Sequence, residues 1–185
     1  MEKKDKLREY HENLSARVSE VEGAAGVSSR MAFLVGQAPW LVNMEDVSEV
    51  MPLPDLTPVP LTRPWYLGVT NVRGNLHGVA DFPAFLGEAF TPPGSERRVL
   101  LIHPRHGVNC GLLVNAILGL RRDGQLEAVP ESGAFPPYVR ARWTDGEGRV
   151  FDELHMGHLV CAREFLEIGL FKRRSVFTKT AQESA

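Results

Sequence analysis

A mainly β fold follows from three features of the 185-residue sequence. Apolar residues come in short runs with a period of two, punctuated by Gly and Pro, the pattern of strands covered on at least one face. Few segments are long and periodic enough for helices. The apolar pattern of the first half also returns about 70 residues later, which points to two similar small β units, each closing its own sheet and so hiding its edges.

In chain order, residues 2–22 are expected to form a surface helix. Leu7, Tyr10, Leu14, Val18 and Val21 recur at steps of three and four, one apolar stripe on a charged segment. That stripe suits docking on its own domain or on a partner. Gly23-Ala24-Ala25-Gly26 ends the helix, and Val27-Ser28-Ser29 is a linker. Met31 to Val35 and Trp40 to Met44 then read as strands around a turn at Gly36-Gln37-Ala38-Pro39. A short helix is expected over 45–50, before a Pro-rich stretch from Met51 to Pro64. The theme of strand, turn and strand recurs over 99–103 and 110–120, around His103-Pro104-Arg105-His106-Gly107. Further short helices are expected over 82–87, 154–162 and 163–171. The organisation is therefore an N-terminal helix and linker over 1–29, a domain of two intertwined β units over 30–172, and a polar tail over 173–185, expected to be disordered.

The repeat aligns Val59-Pro60 with Val129-Pro130. Val42 then falls on Leu112, Met44 on Val114, Val47 on Ile117, Val50 on Leu120 and Leu56 on Leu126. Further on, Tyr66 meets Tyr138, Gly74 meets Gly146, Asp81 meets Asp152 and Leu86 meets Leu159, with the drift of a residue or two that turn insertions produce. Most matches are apolar for apolar, so chance alone reproduces part of the alignment.

Composition narrows the function. With 43% hydrophobic and 24% charged residues and a net charge of −2, this is an ordinary globular chain. It lacks the basic balance expected of a nucleic-acid or anionic-membrane binder. Basic clusters at Arg97-Arg98, Arg121-Arg122 and Lys172-Arg173-Arg174 read as solvated faces. Cys110 and Cys161 both lie in apolar runs and are expected to be buried, reduced thiols. The charged start MEKKDKLREY is no secretory signal, and no run reaches membrane-span length. A cytoplasmic protein without direct membrane insertion is expected.

Catalytic motifs are sparse. No Gly-x-Ser-x-Gly elbow and no Gly-Lys-Ser/Thr phosphate loop occur. The one constellation worth weighing is Asp152, His155 and His158, which a helix would place on roughly one face as a zinc or iron set. Gly157 weakens that helix, the His-Glu-x-x-His pattern is absent, and surface or capping histidines are the simpler account. No cofactor or metal is expected. A small metal-dependent enzyme built on these three residues is the alternative to a binding module.

The most informative stretch is Trp65 to Leu86, WYLGVTNVRGNLHGVADFPAFL. It reads as a strand, a turn at Arg73-Gly74, a returning strand through Val79-Ala80, and a short helix capped by Asp81. Gly74 supplies positive φ without a Cβ cost, and Asn71 is placed to hold the turn by bonding the backbone. A charged arginine at the tip of an apolar hairpin suits meeting a partner better than bond-making chemistry. In the repeat, Asp145-Gly146 stands where Arg73-Gly74 stands, so only the first tip carries the basic side chain. Asp81 and Asp152 read as matching caps.

The run Leu67-Gly68-Val69-Thr70-Asn71-Val72-Arg73-Gly74, continued by Val79-Ala80-Asp81-Phe82 and Phe85-Leu86-Gly87, strongly resembles the signature of the CheW-like adaptor family. Val47-Ser48-Glu49-Val50 and Gly111-Leu112-Leu113-Val114-Asn115 are similar to further family motifs, and the resemblance covers roughly Arg30 to Phe165. It implies two small five-stranded β barrels side by side. It also implies a non-enzymatic scaffold linking chemoreceptor cytoplasmic tips to the regulatory domain of a CheA-type histidine kinase, a domain of the same fold. The charged N-terminal segment and Pro64-Trp65-Tyr66-Leu67-Gly68 look most like the branch serving type IV pilus twitching motility. Asn71, Arg73 and Gly74 are the partner-binding expectation, with Asp81, Gly146 and Asp152 as structural turn and cap residues. The chain departs from the family pattern at Gly78 and Ala80, at Pro83 and at Asn115.

Overall fold

In the computed structural model, residues 29–130 and 135–170 are described, and they form two curled sheets. The helix expected over 2–22 and the tail 173–185 lie outside these residues. The first sheet has six strands in the order β8-β1-β2-β11-β10-β9, the second five in the order β3-β6-β7-β5-β4. The chain begins in the first sheet with β1 (Ser29–Val35) and β2 (Ala38–Asn43). It crosses to the second for β3 (Val47–Met51), β4 (Tyr66–Val72), β5 (Asn75–Asp81), β6 (Arg98–Ile102) and β7 (Cys110–Val114). It then returns for β8 (Ala116–Arg122), β9 (Leu126–Ala128), β10 (Val139–Asp145) and β11 (Val150–Leu154). The extra sixth strand, β9, lies on the outer edge of β10. Its counterpart in the second sheet is a single bridge from Thr57 to Val69.

The two sheets share one plan. In each, a hairpin lies parallel to a strand of a second hairpin, β2 with β11 and β7 with β5. Register makes the equivalence residue by residue. Val42 pairs Leu154 as Leu112 pairs Ala80. Leu120 pairs Met31 as Val50 pairs Leu100. Even the irregularity in β4 between Tyr66 and Gly68 recurs in β10 between Val139 and Ala141. The alignment of Val42 with Leu112, Val47 with Ile117 and Val50 with Leu120 therefore matches the strand register. Further along it slips: Tyr66 corresponds to Val139, and Asp81 to His155. The sequence alignment underestimated the offset there because both hairpins are mostly apolar and slide over one another freely.

Three cores hold this arrangement. Val72, Val79, Val99, Leu101 and Leu113 fill the curl of the second sheet, with Met51, Leu53, Leu56 and Leu67 around them. Ala32, Leu41, Leu126 and Phe151 fill the first, with Leu118 and Trp143. Between the sheets lies the largest cluster, which includes Phe33, Trp40, Val42, Ala80, Phe82, Leu100, Leu112 and Leu154. Both faces of the central strands are therefore covered, which explains their continuous apolar runs.

The helices among the described residues are α1 (Phe82–Phe85), α2 (Met156–Cys161) and α3 (Arg163–Leu166), each within a segment expected to be helical. The helix expected over 45–50 is instead a single 3-10 turn, Met44–Asp46, followed by β3. Val47 and Val50 are β-branched and pair with β6, so sheet pairing overrides a short local preference. Cys110 meets the expectation in part: it packs half-buried against the central core, and burial pushes its thiol up to about 12. Cys161 does not. It is exposed, because α2 turns Leu159 and Val160 into the core and leaves its last residue outside.

Candidate functional site

The tip of the β4–β5 hairpin is a two-residue loop in which both residues have positive φ, Arg73 at 53° and Gly74 at 88°. That is the backbone of the primed turns whose twist matches the flanking strands, and Gly or Asn normally occupies the first position. An arginine there costs on the order of 1 kcal/mol in backbone strain. Asn71 offsets part of it, since its side-chain oxygen accepts the Gly74 N–H at 2.8 Å. The Arg73 side chain is 79% exposed and its Nη2 lies 2.9 Å from Glu49 Oε2. Glu49 comes from β3, the strand at the opposite edge of the same sheet. The sheet thus curls until its two edges meet, and Arg73 is oriented across the join. Leu76, on the returning strand, is exposed beside the tip. Glu49 was missed in the sequence because a glutamate on a short strand carries no local sign of a partner 24 positions on.

At the base of the same hairpin, Asp81 is buried and bonds three ways. One oxygen accepts the Ala84 N–H at 3.0 Å, capping α1, and the Thr91 hydroxyl at 3.3 Å; the other accepts the Thr91 N–H at 3.0 Å. The cap expected at Asp81 is present, together with a clamp on the following loop.

Its proposed match, Asp152, is no cap. It sits within β11, bonded to Arg142 Nε at 2.7 Å, and the residue that caps α2 is His155, whose Nδ1 accepts the His158 N–H at 3.1 Å. Gly146 is likewise not the counterpart of Gly74. The β10–β11 loop spans four residues, 146–149, against two in the first tip, and its left-handed glycine is Gly148, at φ 76°. The second tip also carries an arginine, Arg149, but Asp145 and Glu147 hold it at 2.8 and 3.0 Å. Both tips are therefore basic, and they differ in how much of the arginine is left to a partner.

The metal constellation does not assemble. Asp152 belongs to a strand and is paired with Arg142, while His155 and His158 stack face to face at 3.8 Å between ring centroids. Among the described residues no group of His, Cys, Asp and Glu is arranged to hold a metal ion. The histidines have a different chemistry. As a cap, His155 must keep Nδ1 unprotonated, and burial, His158 and Arg140 together hold its pKa below the ordinary value, in that order of importance. The neutral ring is therefore favoured in the fold. Stability from this group is fully present above the unfolded value of roughly 6.5 and falls as pH drops below it. The urea midpoint is expected to fall between pH 7.5 and 5.5, and His155→Asn, which caps without titrating, is expected to flatten that slope. An unchanged slope in the variant would assign the pH dependence to other groups.

Residues 30–163 match the model of the CheW-like domain. The chain belongs to the CheW-like family. It is 33% identical over 138 residues to the protein PilI of Pseudomonas aeruginosa, covering 72% of this chain and 75% of that one. This agrees with the branch expected from the sequence. It is 32% identical to the protein FrzA of Myxococcus xanthus, over 57% of this chain and 61% of that one. Identity to the chemotaxis protein CheW of Thermotoga maritima is 26%, over 57% and 70%. The crystal structure of the scaffolding protein TtCheW from Thermoanaerobacter tengcongensis superposes with a TM-score of 0.60 at 18% identity, over 69% of this chain and 88% of that one, and shows the same fold.

Departures of this CheW-like chain from the family pattern have local counterparts. A Cβ at Gly78 would lie 2.6 Å from the Tyr66 hydroxyl, so the glycine makes room for the tyrosine ring across the hairpin. Pro83 stands in the first turn of α1, where no N–H is needed. Asn115 accepts the Gly36 N–H at 2.7 Å and so pins the β1–β2 turn.

Proposed function

We propose that this chain is a cytoplasmic, non-enzymatic adaptor that couples chemoreceptors to a CheA-type histidine kinase, in a pathway of the type IV pilus twitching-motility kind. The observation that carries this reading is Arg73: an exposed guanidinium held on a strained turn and oriented by Glu49. Membership of the CheW-like family supports it, as do relatives named as chemotaxis and scaffolding proteins. No helix among the described residues is long and apolar enough to cross a membrane.

The physics suits an adaptor. An exposed ion pair such as Arg73–Glu49 is worth only about 0–1 kcal/mol, so a partner carboxylate competes for the guanidinium at little cost. Its planar fork then gives a two-point contact that lysine does not reproduce. Exposed Leu76 beside it adds apolar area.

The test is co-sedimentation with receptor-containing vesicles and kinase, together with kinase output. Arg73→Glu is expected to lose ~1–3 kcal/mol of binding, roughly five- to a hundred-fold in affinity. Arg73→Gly relieves the turn strain, so it is expected to be as stable as the parent or more so while binding weakly. Wild-type coupling by Arg73→Glu would sink the proposed role of the tip. A wild-type protein that changes neither kinase output nor co-sedimentation would sink the adaptor reading itself.

A further inference from the structure

The shared plan of the two sheets hides one chemical difference inside them. In the first sheet, Arg30 of β1 and Glu153 of β11 form an ion pair at 3.2 Å with side chains only 12% and 4% exposed. Trp143 of β10 donates its Nε1–H to Glu153 at 2.6 Å, and the Arg30 guanidinium lies 4.5 Å from the centre of the same indole. The register that equates Val42 with Leu112 and Leu154 with Ala80 places Val99 at the position of Arg30 and Val79 at that of Glu153. Thr70 stands where Trp143 stands. One curl is closed by an ion pair and an indole, the other by two valines.

That difference matters because the topology is not the easy one. The β1–β2 hairpin joins β11, with Arg30 and Glu153 separated by 123 positions, instead of the β4–β5 hairpin that comes next in the chain. The hairpin β6–β7 in turn joins β5 and leaves β10–β11 to the first sheet. Pairing each hairpin with its next neighbour would close shorter loops and cost less chain entropy. The large apolar surfaces do not discriminate strongly, since volume-conserving exchanges among them are tolerated. A charge does discriminate. In the neighbour-paired arrangement Glu153, 3% exposed, would face Val99 and lose the guanidinium of Arg30, and a buried carboxylate deprived of its counterpart is strongly unfavourable.

We infer that the Arg30–Glu153 pair, held against Trp143, is the key that selects the intertwined pairing of the two halves over the neighbour-paired one. Such a pair contributes specificity while an apolar replacement of similar volume preserves stability or raises it. The test is the double variant Arg30→Val/Glu153→Val, which makes the first curl resemble the second. Wild type and variant are unfolded in urea, refolded by dilution and compared by amide NMR spectra, in which the indole N–H of Trp143 is followed separately.

The double variant is expected to fold, with a thermal midpoint lowered by no more than the loss of the bond that the Trp143 indole N–H makes to Glu153. It is also expected to refold to more than one species, the native spectrum losing roughly threefold or more of its intensity. Refolding to a single native spectrum in wild-type yield overturns the inference. Failure of the double variant to fold also overturns it, because the pair would then supply stability and not choice.

Discussion

Asp81→Ala is expected to lower the thermal midpoint by about 5–15 °C, the consequence of losing roughly 2–4 kcal/mol. The magnitude follows from what the buried carboxylate holds. It caps α1 through Ala84 and clamps Thr91 through both the backbone N–H and the hydroxyl. Alanine would leave the Thr91 N–H orphaned in a buried position, where an unmade bond costs more than a made one contributes. Asp81→Asn separates the two duties. Asparagine caps as well as aspartate but turns an NH2 toward one of the donors, so an intermediate loss is expected. Urea unfolding of the three proteins reads this directly. If Asp81→Asn is as unstable as Asp81→Ala, the clamp outweighs the cap.

Gly68→Ala is expected to be the more damaging of the two, at roughly 3–5 kcal/mol. Gly68 has φ 140°, a conformation that L side chains rarely adopt, and a Cβ there would collide with the backbone carbonyl of Thr57. Thr57 cannot withdraw, because its N–H and its oxygen both bond Val69, at 2.8 and 2.9 Å. The equivalent residue of β10 is Ala141, whose φ is not positive. The irregularity in the strand therefore does not itself require glycine; the crossing of Thr57 does. Little folded protein is expected from this variant, measured by circular dichroism and by soluble yield. A well-folded Gly68→Ala would mean that the Thr57 crossing is easily displaced.

Much of the hairpin was legible because its signals are local. Period-two apolar residues, a glycine able to take positive φ, and Asp three residues ahead of a helical N–H each act within a few positions. The helices around α1, α2 and α3 were located for the same reason, although α3 is shorter than its segment. The segment 45–50 went wrong where Val47 and Val50 follow a distant strand, and Cys161 where a short helix exposes its last turn. The repeat alignment sets Asp152 opposite Asp81 as a matching cap, whereas His155 occupies the position and fills the role with a ring nitrogen. The contact of Arg73 with Glu49 had no sequence signature at all, since it depends on how far a sheet curls.

A mainly β chain with a duplicated plan, and a hairpin carrying Arg73 between Asn71 and Gly74, can be read from the residues alone. Strand period and turn chemistry are short-range properties, and they survive without knowledge of the partner strands. The strands that the two intertwined units exchange, the clamp of Asp81 on Thr91, and the meeting of Glu49 with Arg73 across the closing edges of a sheet emerge only once the chain is folded. Those outcomes depend on which surfaces come together, from 10 positions apart for Asp81 and Thr91 to 123 for Arg30 and Glu153. Apolar surfaces are too alike to specify that alone, and a few buried polar contacts make the distinction.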